Sequence, residues 1–314
     1  MAPGGGAEQD ARRSVLKPPN FNPNPDASAA APRRRFVKTS LAAGFAAAVS
    51  PIELRAVIHT DSSGLLAGEV RIPTPSGQMP AYRAQPSEAA KAAKEGSRLP
   101  TVLVVHEIFG VHEHIRDVCR RFAKLGYLAL APDLFARYGD ASAISDMQAL
   151  VRDIVSKLPD SEALADLEAT ARWAAEHGGD PDRQGVTGFC WGGRITWLYA
   201  ATHPRLKAAV AWYGRLVGEA SANSPRHPID LAASLRVPVL GLYGGADAGI
   251  PLDTIERMKT ALASAPGRGA ESRFIVYPEA AHAFFADYRP SYNEQAARDA
   301  WMRCHEWFVQ HGLS

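Results

Sequence analysis

Six consecutive residues, Gly188-Phe189-Cys190-Trp191-Gly192-Gly193, carry the sharpest chemical signal in the chain. They follow the short apolar run Gly185-Val186-Thr187 and precede a helical pattern. A thiol framed as G-x-C-x-G-G between strand and helix has the form of a nucleophile elbow with cysteine in the serine position. The glycines have a mechanical purpose, because side chains at 188 and 192 would collide with the neighbouring strand or helix. Such a turn lifts Cys190 above the sheet at a helix N-terminus, where N–H groups and the helix dipole favour a thiolate and an oxyanion. The Trp191 N–H is then one expected oxyanion donor. The plainer alternative is a buried structural cysteine in a glycine-rich turn, and the strand–turn–helix setting argues against it.

A thiol nucleophile needs a base, and the base needs an orienting acid. Both follow in the order nucleophile, acid, histidine. Asp247 comes after the apolar run Val239-Leu240-Gly241-Leu242-Tyr243 and the turn Gly244-Gly245-Ala246. His282 comes after Phe274-Ile275-Val276-Tyr277 and a short loop. Taken singly, Asp247 suits a turn and His282 suits a packed loop. Asp253 is a reserve acid, although it sits where a helix should begin.

These residues imply a scaffold that delivers them. Glu69-Val70-Arg71-Ile72 alternates polar and apolar, as a half-exposed strand does, and residues 81–84 can pair back across the turn at 73–77. Thr101-Val102-Leu103-Val104-Val105 reads as a strand buried on both faces. Further strands are expected over 127–131, 184–187, 208–212, 237–243 and 274–277. Helices are expected over 114–125, 142–157, 160–177, 192–202, 252–264 and 292–310, and residues 86–98 read as a surface loop or short helix. The alternation predicts a mostly parallel central sheet with helices on both faces. In such sheets chemistry gathers where strands end, so the polar residues that matter should follow strand runs directly.

Composition limits the alternatives. The formal net charge is +2, and residues 1–50 hold seven Lys/Arg against three Asp/Glu, so the rest carries about −2. No basic face is implied beyond the tail, which argues against a nucleic-acid partner. Three widely spaced cysteines, Cys119, Cys190 and Cys304, form no zinc spacing and leave at least one free thiol. Cys119 and Cys304 read as small buried hydrophobes. His106, Glu107, His112, Glu113 and His114 cluster in sequence without a metal-binding spacing, so no metal site is expected. The chain divides into a tail over 1–50 and one domain over 51–314.

The tail reads as disordered up to about residue 31. Arg33-Arg34-Arg35-Phe36-Val37-Lys38, followed by an apolar stretch over 41–49 and Pro51, resembles a twin-arginine export signal. It implies the export machinery as a partner, a periplasmic location and a cut after Ala48. The alternative is a basic arm on a cytoplasmic protein. The apolar stretch is too short for a membrane span, which needs roughly 20 residues.

From about Gly68 to Phe308 the chain resembles the dienelactone hydrolase (carboxymethylenebutenolidase) family of the α/β-hydrolase fold. The likeness rests on the Cys190 elbow, on Gly68-Glu69-Val70-Arg71-Ile72-Pro73, on His106-Glu107-Ile108-Phe109-Gly110-Val111 and on Pro132-Asp133-Leu134-Phe135-Ala136-Arg137. It implies a cysteine kept neutral at rest beside a glutamate matching Glu107, which accepts the thiol proton when substrate arrives. A carboxylate beside a thiol does disfavour the thiolate. The bland reading of Glu107 is a loop carboxylate paired to an arginine. The resemblance makes the Ile108 N–H the second oxyanion donor and Arg137 a binder of the substrate carboxylate, the alternative being an ion pair with Asp133 or Asp140. Tyr138 and Trp191 are candidates to line the pocket, or else belong to the core. Where the family's lactone hydrolases carry an arginine four residues past the catalytic histidine, this chain has Ala286, with Arg289 further on.

The expectation is a monomeric α/β-hydrolase that cleaves a small ester or lactone through Cys190, His282 and Asp247, without a cofactor. A broader carboxylesterase stands close behind. A non-catalytic binder or a thiol-redox protein on the same scaffold forms the other class, although Cys119 and Cys304 belong to elements remote in sequence and no resolving cysteine is evident.

Overall fold

A computed structural model describes residues 58–88 and 97–314. The tail with its export motif, and most of the segment over 86–98, lie outside the described residues.

Among the described residues eight strands form one sheet: β1 (Leu65–Thr74), β2 (Gly77–Pro86), β3 (Leu99–Val105), β4 (Leu128–Pro132), β5 (Gly179–Phe189), β6 (Leu206–Trp212), β7 (Val239–Gly244) and β8 (Arg273–Tyr277). Their spatial order is β1-β2-β4-β3-β5-β6-β7-β8. The hairpin β1–β2 pairs Val70 with Ala81 and Ile72 with Met79, and β2 runs antiparallel to β4. Every pair from β4 to β8 is parallel. Burial follows position: β1, at the edge, alternates, whereas β3 is buried from Pro100 onward.

Among the described residues these helices clothe the sheet: α1 (Glu113–Lys124), α2 (Met147–Asp153), α3 (Asp160–Glu176), α4 (Trp191–Thr202), α5 (Leu252–Ala263) and α6 (Glu294–Gln310). This is an α/β-hydrolase fold. Phe122 of α1 packs against Trp301 and Phe308 of α6, while α3 and α4 pack on each other. Cys119 and Cys304 are wholly buried in α1 and α6.

The long helix expected over 142–157 is instead three short pieces. A 3-10 turn at Ala141–Ala143 and another at Val155–Lys157 flank α2. The break is local chemistry: Asp146 accepts the Ala149 N–H at 2.6 Å and so starts a new helix where continuity was expected. At the far end Ile154 leaves helical geometry at φ −120°. Among the described residues no helix is long and apolar enough to cross a membrane.

Candidate active site

Cys190 sits at the end of β5 as the N-cap of α4, with φ 56° and ψ −114°. That backbone is costly for a residue with a Cβ, and it persists only where surroundings enforce it. Here the Cys190 N–H donates to the Trp212 carbonyl at 3.0 Å, and the Cys190 carbonyl accepts from Arg194 at 3.2 Å. The glycines do what the sequence requires. A Cβ on Gly188 would lie 2.3 Å from the Gly192 carbonyl oxygen, and one on Gly192 would lie 2.4 Å from the Val105 and His106 carbonyl oxygens. The second approach matters most, because it presses the start of α4 against the loop after β3. Trp191 and Ile108 are thereby brought to one cavity with Cys190 and His282. As the first residue of α4, Trp191 has an N–H with no acceptor inside the helix.

Asp247 and His282 are set by two interlocked loops. The Gly245 N–H donates to the Tyr277 carbonyl at 2.7 Å, and the Ala246 N–H to the Ala280 carbonyl at 3.0 Å. Gly244 permits this closeness, since a Cβ there would lie 2.3 Å from the Ala280 oxygen. Asp247 Oδ1 accepts from the Gly249 N–H at 2.8 Å, which leaves Oδ2 aimed at His282 Nδ1, 2.7 Å away. The Cys190 sulfur acts electrostatically on the imidazole and lines the same cavity. Burial favours neutral His282, but the Cys190 sulfur and the Asp247 carboxylate outweigh it, and the imidazole is pushed up to about 10. Cys190 and His282 thus line one cavity, and His282 is paired with Asp247 behind it. Asp253, the reserve acid, is exposed in the first turn of α5.

Glu107 follows β3 directly and is 1% exposed. Its Oε2 accepts from the Tyr288 hydroxyl and lies 3.9 Å from His112 Nε2. Burial raises its carboxyl, but Arg289 and His112 chiefly outweigh that, and the net shift is downward. Arg289 is itself buried, with its guanidinium 4.8 Å over the Phe109 ring and its Nε donating to Tyr288 at 3.3 Å. The resemblance implied a glutamate against the thiol. In this arrangement the sulfur shares its cavity with His282, while Glu107 is held as a carboxylate by Tyr288 and Arg289.

Arg137 and Tyr138 are not brought to the cavity. Arg137 pairs with Glu162 and with both oxygens of Asp166, at 2.8 and 3.1 Å, on α3. These partners are not the Asp133 or Asp140 considered from sequence. Tyr138 donates to Glu162 at 2.8 Å. The clustered polar residues after β3 also diverge. His106 Nδ1 donates to the Glu107 carbonyl, His114 contacts Asp287 and Glu113 pairs with Arg120. Among the described residues no group of three His, Cys, Asp or Glu side chains is placed to hold a metal ion.

The cavity above Cys190 has a volume of about 610 Å³, within the range of small-molecule sites. Met147, Val151, Val155 and Leu158, from α2 and the turn after it, give it an apolar wall. Arg194, at its edge, is tied to both oxygens of Asp160.

Residues 87–312 match the model of the dienelactone hydrolase family. The chain belongs to the dienelactone hydrolase family. A relative from Methylorubrum extorquens, provisionally named a carboxymethylenebutenolidase, is 56% identical over 283 residues, which span 90% of this chain and 94% of that one. One of the same name from Salmonella typhimurium is 54% identical, over 87% of this chain and 98% of its own length. The crystal structure of a provisionally assigned dienelactone hydrolase from Klebsiella pneumoniae superposes with a TM-score of 0.74 at 57% identity, covering 78% of this chain and 99% of that one. This dienelactone hydrolase homologue is thus an ester hydrolase by family. Sequence reasoning missed two features of its site: the inward course of Tyr288 and Arg289, and Tyr213 in the cavity wall.

Proposed function

We propose that the protein hydrolyses small carboxylic esters or lactones through a thioester on Cys190. Sγ, its proton already passed to His282, attacks the carbonyl carbon. The resulting oxyanion is received by the Ile108 and Trp191 N–H groups. On collapse the bridging oxygen leaves with the proton from His282, giving the acyl-enzyme. A water that surrenders its proton to His282 then attacks the thioester, and Cys190 recovers its proton as the acid departs. Asp247 keeps the imidazole in the tautomer and orientation that both halves need. The observation that carries this reading is the pairing of His282 Nδ1 with Asp247 at 2.7 Å in a cavity that His282 and Cys190 line together.

The apolar wall of the cavity, and Arg137 turned toward α3, favour a broader range of esters over strict dienelactone specificity. A panel of chromogenic esters and dienelactones tests both points. The wild type should show a burst and an acyl adduct on Cys190, and Cys190→Ala should lose roughly 10⁴-fold or more in kcat. Full activity in Cys190→Ala would remove the mechanism. The paired arginines and the apolar run behind them further support export of the folded domain. A periplasmic chain shortened at residue 48 is the expected product, and a full-length cytoplasmic chain speaks against it.

A further inference from the structure

Among the described residues, three that are not glycine take a positive φ: Cys190 at 56°, Tyr213 at 39° and Ala283 at 59°. Strained backbone of this kind gathers at functional sites. Cys190 is the elbow and Ala283 follows His282, but the mechanism above gives Tyr213 nothing to do.

Tyr213 comes immediately after β6, and two contacts enforce its conformation. Its N–H donates to the Leu242 carbonyl at 2.8 Å. The next residue, Gly214, lies so close to α4 that a Cβ there would be 2.4 Å from the Gly193 carbonyl carbon. The ring is thereby set edge-on to His282, with centroids 5.2 Å apart, and lines the same cavity as Cys190. The side chain is wholly buried, and its hydroxyl has no hydrogen-bond partner among the described residues. Two other buried tyrosines of this region are satisfied: Tyr243 donates to the Gly214 carbonyl at 3.0 Å, and Tyr288 to Glu107. An unpaired buried hydroxyl is costly, so this one calls for an acceptor that arrives in the cavity. Burial, together with the negative charge of Glu107, holds the phenol well above its usual titration range, so it remains a donor.

We propose that Tyr213 contacts substrate, its hydroxyl donating a hydrogen bond to the bridging oxygen of the bound ester. An ester has two oxygens. The carbonyl oxygen goes to the Ile108 and Trp191 N–H groups, and the bridging oxygen must lie on the His282 side to receive its proton. Tyr213 is the hydroxyl beside that ring. Charge builds on the bridging oxygen as its bond to carbon breaks, so the hydrogen bond strengthens toward the transition state. The inference rests on the thioester mechanism proposed above.

The test is Tyr213→Phe, assayed on an oxygen ester and a thioester that share one acyl group. Sulfur is a poor acceptor, so only the oxygen ester should suffer. Its kcat/KM should fall about tenfold, the equivalent of one hydrogen bond of ~1.4 kcal/mol, with the thioester within about twofold. The melting temperature should stay level or rise, because no bond of the free protein is lost. An equal loss on both substrates, no loss on either, a lower melting temperature or a variant that does not fold would each overturn the proposal. If the wild type forms no acyl adduct on Cys190, the mechanism falls and takes this inference with it. If the adduct forms and Tyr213→Phe matches the wild type, only this inference falls.

Discussion

Two loops at strand ends each carry an arginine, and the chain uses the two in opposite ways. Arg137, after β4, reaches outward to Glu162 and Asp166 on α3 and braces the loop against that helix. Arg289, after β8, turns inward, lies 7% exposed and gives charge balance to buried Glu107. The strand-end rule locates the loop but not the heading of a long side chain on it. For Arg137 the heading is set by carboxylates four residues apart on one face of α3, a spacing that makes a two-pronged acceptor for a guanidinium. For Arg289 it is set by the buried Glu107 carboxylate and by the faces of Phe109 and Tyr288.

This contrast can be broken by removing each arginine. Arg289→Met leaves the Glu107 carboxylate buried without its cation. The expected cost is about 3–5 kcal/mol of unfolding free energy, measured by urea denaturation, with activity falling because Glu107 precedes Ile108, which lines the cavity of Cys190. A variant as stable as the wild type would mean that Glu107 does not depend on Arg289. Arg137→Met should cost less, about 1–3 kcal/mol, because Asp166 is buried and loses two hydrogen bonds. Its kcat/KM should stay within about twofold of wild type on neutral and anionic esters alike, since no transition-state contact is removed. A large rise in KM confined to anionic esters would show that Arg137 swings to the substrate, and the contrast would collapse.

The same comparison shows what a sequence can and cannot disclose. Glu107, Cys190, Asp247 and His282 all sit just past strand ends, where one-dimensional pattern and three-dimensional position coincide. The structure brings all four to one end of the sheet. Tyr213 obeys the same rule, directly after β6, and was legible in principle; an aromatic beside Trp212 reads as core, and its positive φ leaves no mark in composition. Tyr288 and Arg289 obey no spacing rule, because the chain between His282 and α6 is irregular. Ala286 occupies the position where the family likeness sought a cation, and the positive charge returns three residues later on a different path. The break in the helix expected over 142–157 lay in Asp146, whose capping preference competes with a continuous apolar pattern. That break gives the cavity its apolar wall.

His106 joins the loop of Arg137 to the loop of Glu107, the carboxylate that Arg289 balances, and acid should loosen it. It leads the loop that carries Glu107. Its Nδ1 donates to the Glu107 carbonyl at 2.6 Å, and its Nε2 accepts the Leu134 N–H at 3.1 Å, in the loop that carries Arg137. A ring used in this way is neutral, since a proton on Nε2 would displace the Leu134 bond. Burial is the main force holding it below its ordinary value of 6.5, against the opposing pull of Asp133 and Glu107. The unfolded chain thus binds a proton near pH 6.5 that the folded chain refuses. This contribution to stability is present above that pH and declines as pH falls below it, with a ceiling of ~1.4 kcal/mol per pH unit for one proton. His106→Asn should be less stable at pH 7, and its deficit against the wild type should shrink by about 1 kcal/mol on going from pH 7 to pH 5. Urea unfolding at the two pH values measures this, and a deficit that stays constant would show that His106 does not tie the two loops as a neutral ring.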